Sequence, residues 1–165
     1  MRDLTTYALR CMENLDAIGV SYGNVLDFTV NTRAKNRWGQ CRAVPGGFTI
    51  NINAVLLDER NPEESLLNTI IHELLHTCKN CMNHGREWKN LAEKVNRAYH
   101  LNISRTASAD QKGIVAETLP EKTVKHRYVC EGCGQIIERQ RESDFTKRYN
   151  LYTCGRCHGH FKKEF

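Results

Sequence analysis

His72-Glu73-Leu74-Leu75-His76 sets two imidazoles four residues apart with a carboxylate beside the first. On an α-helix, residues four apart differ by about 40° in azimuth and about 6 Å in rise, so both rings lie on one face. Two such rings can converge on one zinc ion at about 2.0–2.1 Å. Glu73 is then placed to reach a water bound to that ion and to take its proton. A catalytic zinc keeps three protein ligands and one open position, so a third ligand is needed. His84, followed by Gly85 and then Trp88, is the candidate. The chemistry these residues suit is hydrolysis by metal-activated water, with Glu73 as acid and base.

A second set of ligand-type residues lies near the C-terminus. Cys130-x-x-Cys133 and Cys154-x-x-Cys157 are separated by 20 residues, close to the usual spacing of a zinc ribbon. A unit of about 40 residues buries too little apolar surface to fold alone, so a structural metal is physically required. Two disulfide or redox pairs are the alternative reading. Cys78-x-x-Cys81 falls between two of the candidate histidine ligands. It is read as two cysteines without a joint role, a disulfide clip or redox latch being the alternatives. Cys11 and Cys41 are read as small core residues.

The elements that must position these groups follow from periodicity. Leu4, Ala8, Cys11, Met12, Leu15 and Ile18 recur at helical spacing, giving an amphipathic helix over 3–18 that ends at Gly19. Leu26, Phe28 and Val30 alternate with polar residues as in a half-buried strand. A second strand is expected over 37–44, then a Pro45-Gly46-Gly47 turn and a third strand with Phe48, Ile50 and Ile52 inward. The three are expected to form an antiparallel sheet. Asn61 is expected as N-cap and Pro62 as first helical residue of a helix running to about Cys78. Its apolar face is Leu66, Leu67, Ile70, Ile71, Leu74 and Leu75; the opposite stripe is Ser65, Thr69, His72, Glu73 and His76. A further helix over about 85–100 presents Trp88, Leu91, Ala92, Val95 and Ala98. Residues 102–122 lack periodicity and read as a linker.

The segment from His72 to His76, seven intervening residues, then His84-Gly85-x-x-Trp88 closely resembles the SprT-like zinc metalloproteases, which include the Spartan proteases. That family also commonly carries a C-terminal pair of C-x-x-C knuckles, so the resemblance covers most of the chain. It implies that His72, His76 and His84 bind zinc, that Glu73 is the catalytic acid/base, and that Trp88 packs under the site without being a ligand. The spacing from His76 to His84 departs from the metzincin pattern. Peptide deformylase-like chemistry, with Cys41 as third ligand, is a distant second.

The chain has 165 residues, 40% hydrophobic and 26% charged, a normal globular balance. Its longest apolar runs, such as 54–57, are too short to span a bilayer. The start has no apolar export segment, so the cytoplasm is the expected compartment. Net charge is +5, concentrated after residue 120, where ten Lys/Arg face six Asp/Glu. Four thiolates around one zinc would lower that local charge by two, which weakens an argument from charge alone. Lys125, Arg127, Arg139, Arg141, Lys147 and Arg148, interleaved with aromatic residues, suit phosphate contact and base stacking. Composition supports a solvated ribbon surface equally well; the resemblance favours DNA, because Spartan-like members act on proteins held on DNA.

The combined expectation is an α+β chain. A zincin-like domain spans 1–105, with an N-terminal helix, a small antiparallel sheet, an active-site helix and a following helix. A linker spans 106–122 and a zinc ribbon 123–165. Two zinc ions, one catalytic and one structural, and a protein or peptide substrate are expected. The rivals are a nucleic-acid-binding protein with an inert first domain and a redox-regulated scaffold.

Overall fold

The computed structural model describes residues 1–34, 37–121 and 123–165. The last residue of the expected linker therefore falls outside the described residues. The architecture is α+β, in two compact units, Met1–Pro120 and Glu121–Phe165.

In the first unit, α1 (Leu4–Ala17) starts where the Asp3 carboxylate accepts the Thr6 backbone N–H at 2.8 Å. It stops before Gly19, whose φ of +66° is a conformation that favours glycine. The strands β1 (Val25–Asn31), β2 (Gly39–Val44) and β3 (Gly47–Asn53) follow. Val44 pairs with Gly47 across a two-residue turn, with Gly46 at φ +88°. Next come α2 (Glu63–His76) and α3 (Arg86–Tyr99). Ile50 and Ile52 of β3, with Leu66, Ile70, Ile71, Leu74 and Leu75 of α2 and Leu15 of α1, are fully buried in one core.

The sheet is mixed, not antiparallel as expected. Its order is β1-β3-β2, with β1 parallel to β3 and β2 antiparallel to it. Alternation identifies strands but says nothing about their neighbours. The central place goes to β3, whose Ile50 and Ile52 are fully buried. β2 is left as an edge, with Gly39 and Cys41 beside α2. The inward set expected for β1 is also revised: Leu26 is 51% and Val30 43% exposed. β1 has a neighbour on one side only, and its register shifts between Val25 and Asp27, as at a bulge.

Asn61 is not the N-cap of α2; Pro62 holds that position without a side-chain cap. The Asn61 side chain instead turns inward. Its Nδ2 donates to Val55 O (2.7 Å) and Thr118 Oγ1 (3.0 Å), and its Oδ1 accepts from Val115 N (2.8 Å). Asn53, at the end of β3, is likewise buried and donates to Ala34 O and Arg37 O, both at 2.9 Å. These amides pin chain segments that have no periodic structure of their own. Residues 106–120, expected as linker, accordingly pack within the first unit, with Ile114 buried in the main core.

The second unit is a three-stranded sheet in the order β5-β4-β6, formed by β4 (His126–Cys130), β5 (Ile136–Arg139) and β6 (Phe161–Lys163). A short helix, α4 (Asp144–Lys147), follows β5. Among the described residues, the buried core of this unit is Tyr128, Cys130, Cys154 and Phe161. No helix among the described residues is long and apolar enough to cross a membrane.

Replacing Asn61 with alanine strands the Val115 amide and removes one of the two donors to the Val55 carbonyl, which keeps the Asp58 N–H. The expected loss is about 2–4 kcal/mol of first-unit stability, read by urea denaturation. A change within about 0.5 kcal/mol would contradict the anchoring role.

Candidate metal centre

α2 carries His72, Glu73 and His76, and the loop after it returns to bring His84 alongside. The Nε2 atoms of His76 and His84 lie 3.2 Å and 3.0 Å from Nε2 of His72. Two nitrogens bound tetrahedrally to one zinc stand about 3.3 Å apart, so this spacing fits a shared ion. The opposite ring nitrogens face backbone carbonyls: His72 Nδ1 lies 3.0 Å from Ser104 O, and His76 Nδ1 lies 2.7 Å from Cys81 O. A carbonyl can only accept, so each Nδ1 carries the proton and each Nε2 turns its lone pair inward. Trp88, buried at the start of α3, packs against all three imidazoles with ring centroids 4.6–5.7 Å away.

Burial, with the positive charge the neighbouring imidazoles would carry, pulls His72 down to about 3. His84 is also lowered, chiefly by burial. Both rings are therefore neutral at ordinary pH, the form in which histidine binds a metal.

Glu73 is only 6% exposed. Its carboxylate accepts a hydrogen bond from the Cys41 backbone N–H. Burial pushes the carboxyl up to about 7, opposed by that bond and by the positive charges of Arg37 and Lys112. A divalent ion nearby would draw it down again. Gly39 of β2 lies hard against the same carboxylate: a Cβ there would sit 2.5 Å from Glu73 Oε1 and 2.7 Å from Cγ. Cys41 contributes its backbone; its thiol is half-buried and pushed up to about 11 by burial and by the charge of Glu73. Among the described residues, His84 completes the cluster with His72 and His76, and Cys41 is not part of it.

Cys130, Cys133, Cys154 and Cys157 form the other ligand cluster, with all four sulfurs within 4.8 Å of one another. Cys130 and Cys157 Sγ are 3.4 Å apart, and Cys133 and Cys154 Sγ 3.6 Å. Sulfurs bound tetrahedrally to one zinc lie about 3.8 Å apart, so the set suits a closed four-thiolate site. Cys78 and Cys81 are buried free thiols, and Cys81 serves through its carbonyl.

The basic residues of the second unit divide into two groups. Arg127 pairs with Glu164 (3.1 Å) and Glu138 (3.9 Å), Lys147 with Glu142 (3.9 Å), and Arg139 lies over the Phe145 ring. Lys125, Arg141 and Arg148 are exposed. Phe145 and Tyr149 pack on Tyr128 as part of the small core.

The profile of the SprT-like family matches residues 10–107, which hold the whole histidine cluster, Glu73 and β2. The chain belongs to the SprT-like family. It is similar to a curated protein called "Protein SprT-like" from Enterococcus faecalis, 28% identical over 131 residues, or 79% of this chain and 76% of that protein. A protein of the same description from Streptococcus pyogenes is 28% identical over 134 residues, covering 78% and 77%. One from Lactococcus lactis is 26% identical over 130 residues, covering 78% and 74%. The two clusters of this SprT-like chain are candidate sites whose donor sets both suit zinc.

Sequence reasoning missed the Ser104 and Cys81 carbonyls, the approach of Gly39 to Glu73, and Lys112, whose ammonium reaches α2 from the expected linker. Only Lys112 has a side chain that could have marked it.

In metal-free protein, the value of about 3 means that His72 stays neutral as pH falls through 6.5, where an exposed histidine charges. Imidazole resonances followed by NMR from pH 7.5 to 5 should show His72 unmoved. Titration of His72 near 6.5 would contradict the buried, carbonyl-tied geometry.

Proposed function

We propose that this SprT-like chain is a zinc-dependent peptidase of the HExxH type. The observation that carries the reading is the convergence of three Nε2 atoms next to a buried carboxylate that lies against a sheet edge. His72, His76 and His84 would hold the ion through three positions, leaving one for solvent or substrate. The zinc would supply Lewis acidity, making water a nucleophile near neutral pH and polarising a peptide carbonyl.

The chain's own groups supply the rest. Glu73 is held by the Cys41 N–H and confined by Gly39, so its carboxylate has one position from which to accept the water proton. It then returns that proton to the departing amine nitrogen. The Cys41 N–H points to Glu73 and away from β3, so this side of β2 faces the site. The strand edge suits an extended peptide aligned by strand addition. We assign a zincin-like role to the first unit and a structural zinc ribbon to the second, whose core is too small to stand without its metal. Proteins held on DNA are the proposed substrate class, supported by the exposed Lys125, Arg141 and Arg148, which have no ion-pair partner among the described residues.

Glu73→Gln should retain zinc and lower cleavage of casein about 10²–10⁴-fold, the usual contribution of a general base. Gly39→Ala should also retain zinc yet lower activity, because the added methyl must displace the carboxylate. Zinc content and proteolysis measured together check both. A Gln variant that cleaves at the full rate contradicts the role of Glu73. A wild-type chain that carries zinc but cleaves nothing leaves the binding protein with an inert first unit.

A further inference from the structure

A cleft of about 750 Å³ runs beside the histidine cluster, from Glu73 along α2 toward Pro62. One wall is the polar stripe of α2; the other is Trp38 with the segment 102–113. That segment follows α2 closely. Ser104 O meets His72 at one end, the Ser65 hydroxyl donates to Lys112 O at 2.5 Å, and Gly113 lies against Pro62 at the other. Trp38 Nε1 donates to Ala107 O at 2.9 Å and ties the two sides together.

Among the described residues, three cations line this cleft: Arg37, Arg105 and Lys112. None has a carboxylate within ion-pair distance among the described residues. Lys112 is half-buried, and its Nζ donates to Thr69 Oγ1 at 2.8 Å, with Ser65 O at 3.5 Å. An ammonium has three N–H bonds, so one at least is left for another acceptor. The two acids of the lining are Glu64 and Glu73, and Glu73 is already committed to Cys41 and the metal cluster. Burial pulls the Lys112 ammonium down to about 8, with Glu73 opposing, as expected for a charge partly withdrawn from water without a close counterion.

We propose that this cleft is a substrate subsite for an aspartate or glutamate side chain near the scissile bond, and that Lys112 is the residue that selects it. The inference rests on the peptidase reading for its placement in a substrate channel. An incoming carboxylate supplies the missing counter-charge and accepts the free N–H, with Arg37 and Arg105 at the rim adding to the local field. The chemistry favours a peptide over nucleic acid. Lys112 is half-buried with its Nζ against Thr69 and Ser65 of α2, a position that a flexible side chain reaches more readily than the phosphates of a stiff duplex. Lys112 lies beyond the stretch matched by the family profile.

The test walks one glutamate through an otherwise neutral, amidated eight-residue peptide, with the glutamine peptide as control at each register. Binding to the full-length zinc-loaded Glu73→Gln chain and cleavage by the zinc-loaded wild type are both measured. At one or two registers the glutamate peptide should bind, and be cleaved, about tenfold better than its control. Lys112→Met should bring that ratio to near one, and Lys112→Arg should keep most of it, with melting temperatures confirming that both fold. The wild-type ratio tests the cleft without any variant. Equal ratios at every register, or a preference unchanged in Lys112→Met, overturn the proposal. So does a preference seen only with a free C-terminal carboxylate, or Lys112-dependent displacement of the peptide by a short DNA duplex. Selective binding without any cleavage upholds the subsite and removes the peptidase reading alone.

Discussion

His76 and His84 bring their Nε2 atoms 3.2 Å and 3.0 Å from that of His72, close enough that inward lone pairs repel unless a cation lies between them, so the rings must be held from behind. The chain meets that constraint with backbone carbonyls. Ser104 O and Cys81 O take the outer N–H of His72 and His76, and Trp88 fills the space beneath the rings. Much of the first unit is arranged to deliver those groups. The loop after α2 is folded so that Cys81 reaches back to His76 while His84 comes forward. The chain beyond α3 crosses α2 so that Ser104 reaches His72.

The same arrangement explains why α2 is buried on nearly every side. Its apolar face packs on Ile50 and Ile52, and its polar stripe, including Ser65, Thr69, Glu73 and His76, is covered as well. A helix of polar and titratable residues is costly to cover unless each finds a partner. Thr69 accepts from Lys112, Ser65 donates to the Lys112 carbonyl, and Glu73 accepts from Cys41. The segment 104–113 is thus both lid and hydrogen-bond partner. The mixed sheet has a comparable logic: with β3 central, β2 becomes the edge that presents Gly39 and Cys41 to Glu73.

What could be read in the sequence was what side-chain type and period encode. The histidines and cysteines that the fold brings into two clusters, and the helices near 3–18, 63–76 and 86–99, were legible because each depends on residue identity at fixed spacing. The strand order was not, because alternation in β1 and β3 is the same whether the pair is parallel or antiparallel. Asn61 misled for a related reason: an amide before a proline suits an N-cap, yet a buried amide with three partners satisfies more groups than a cap would. Residues 106–120 looked like linker because they have no period. Their order comes from single polar contacts at Trp38, Ser65 and Asn61, which leave no pattern along the chain.

The account stands on the three Nε2 atoms sharing one ion. An anomalous-difference map at the zinc edge, from crystals of the full chain grown with zinc, tests this directly. It should show one peak at about 2.0–2.1 Å from Nε2 of His72, His76 and His84, with Glu73 outside ligand distance, and a second among the four cysteines. A first-unit peak that omits His84, or takes Glu73 or Cys41 as a ligand in its place, would contradict it.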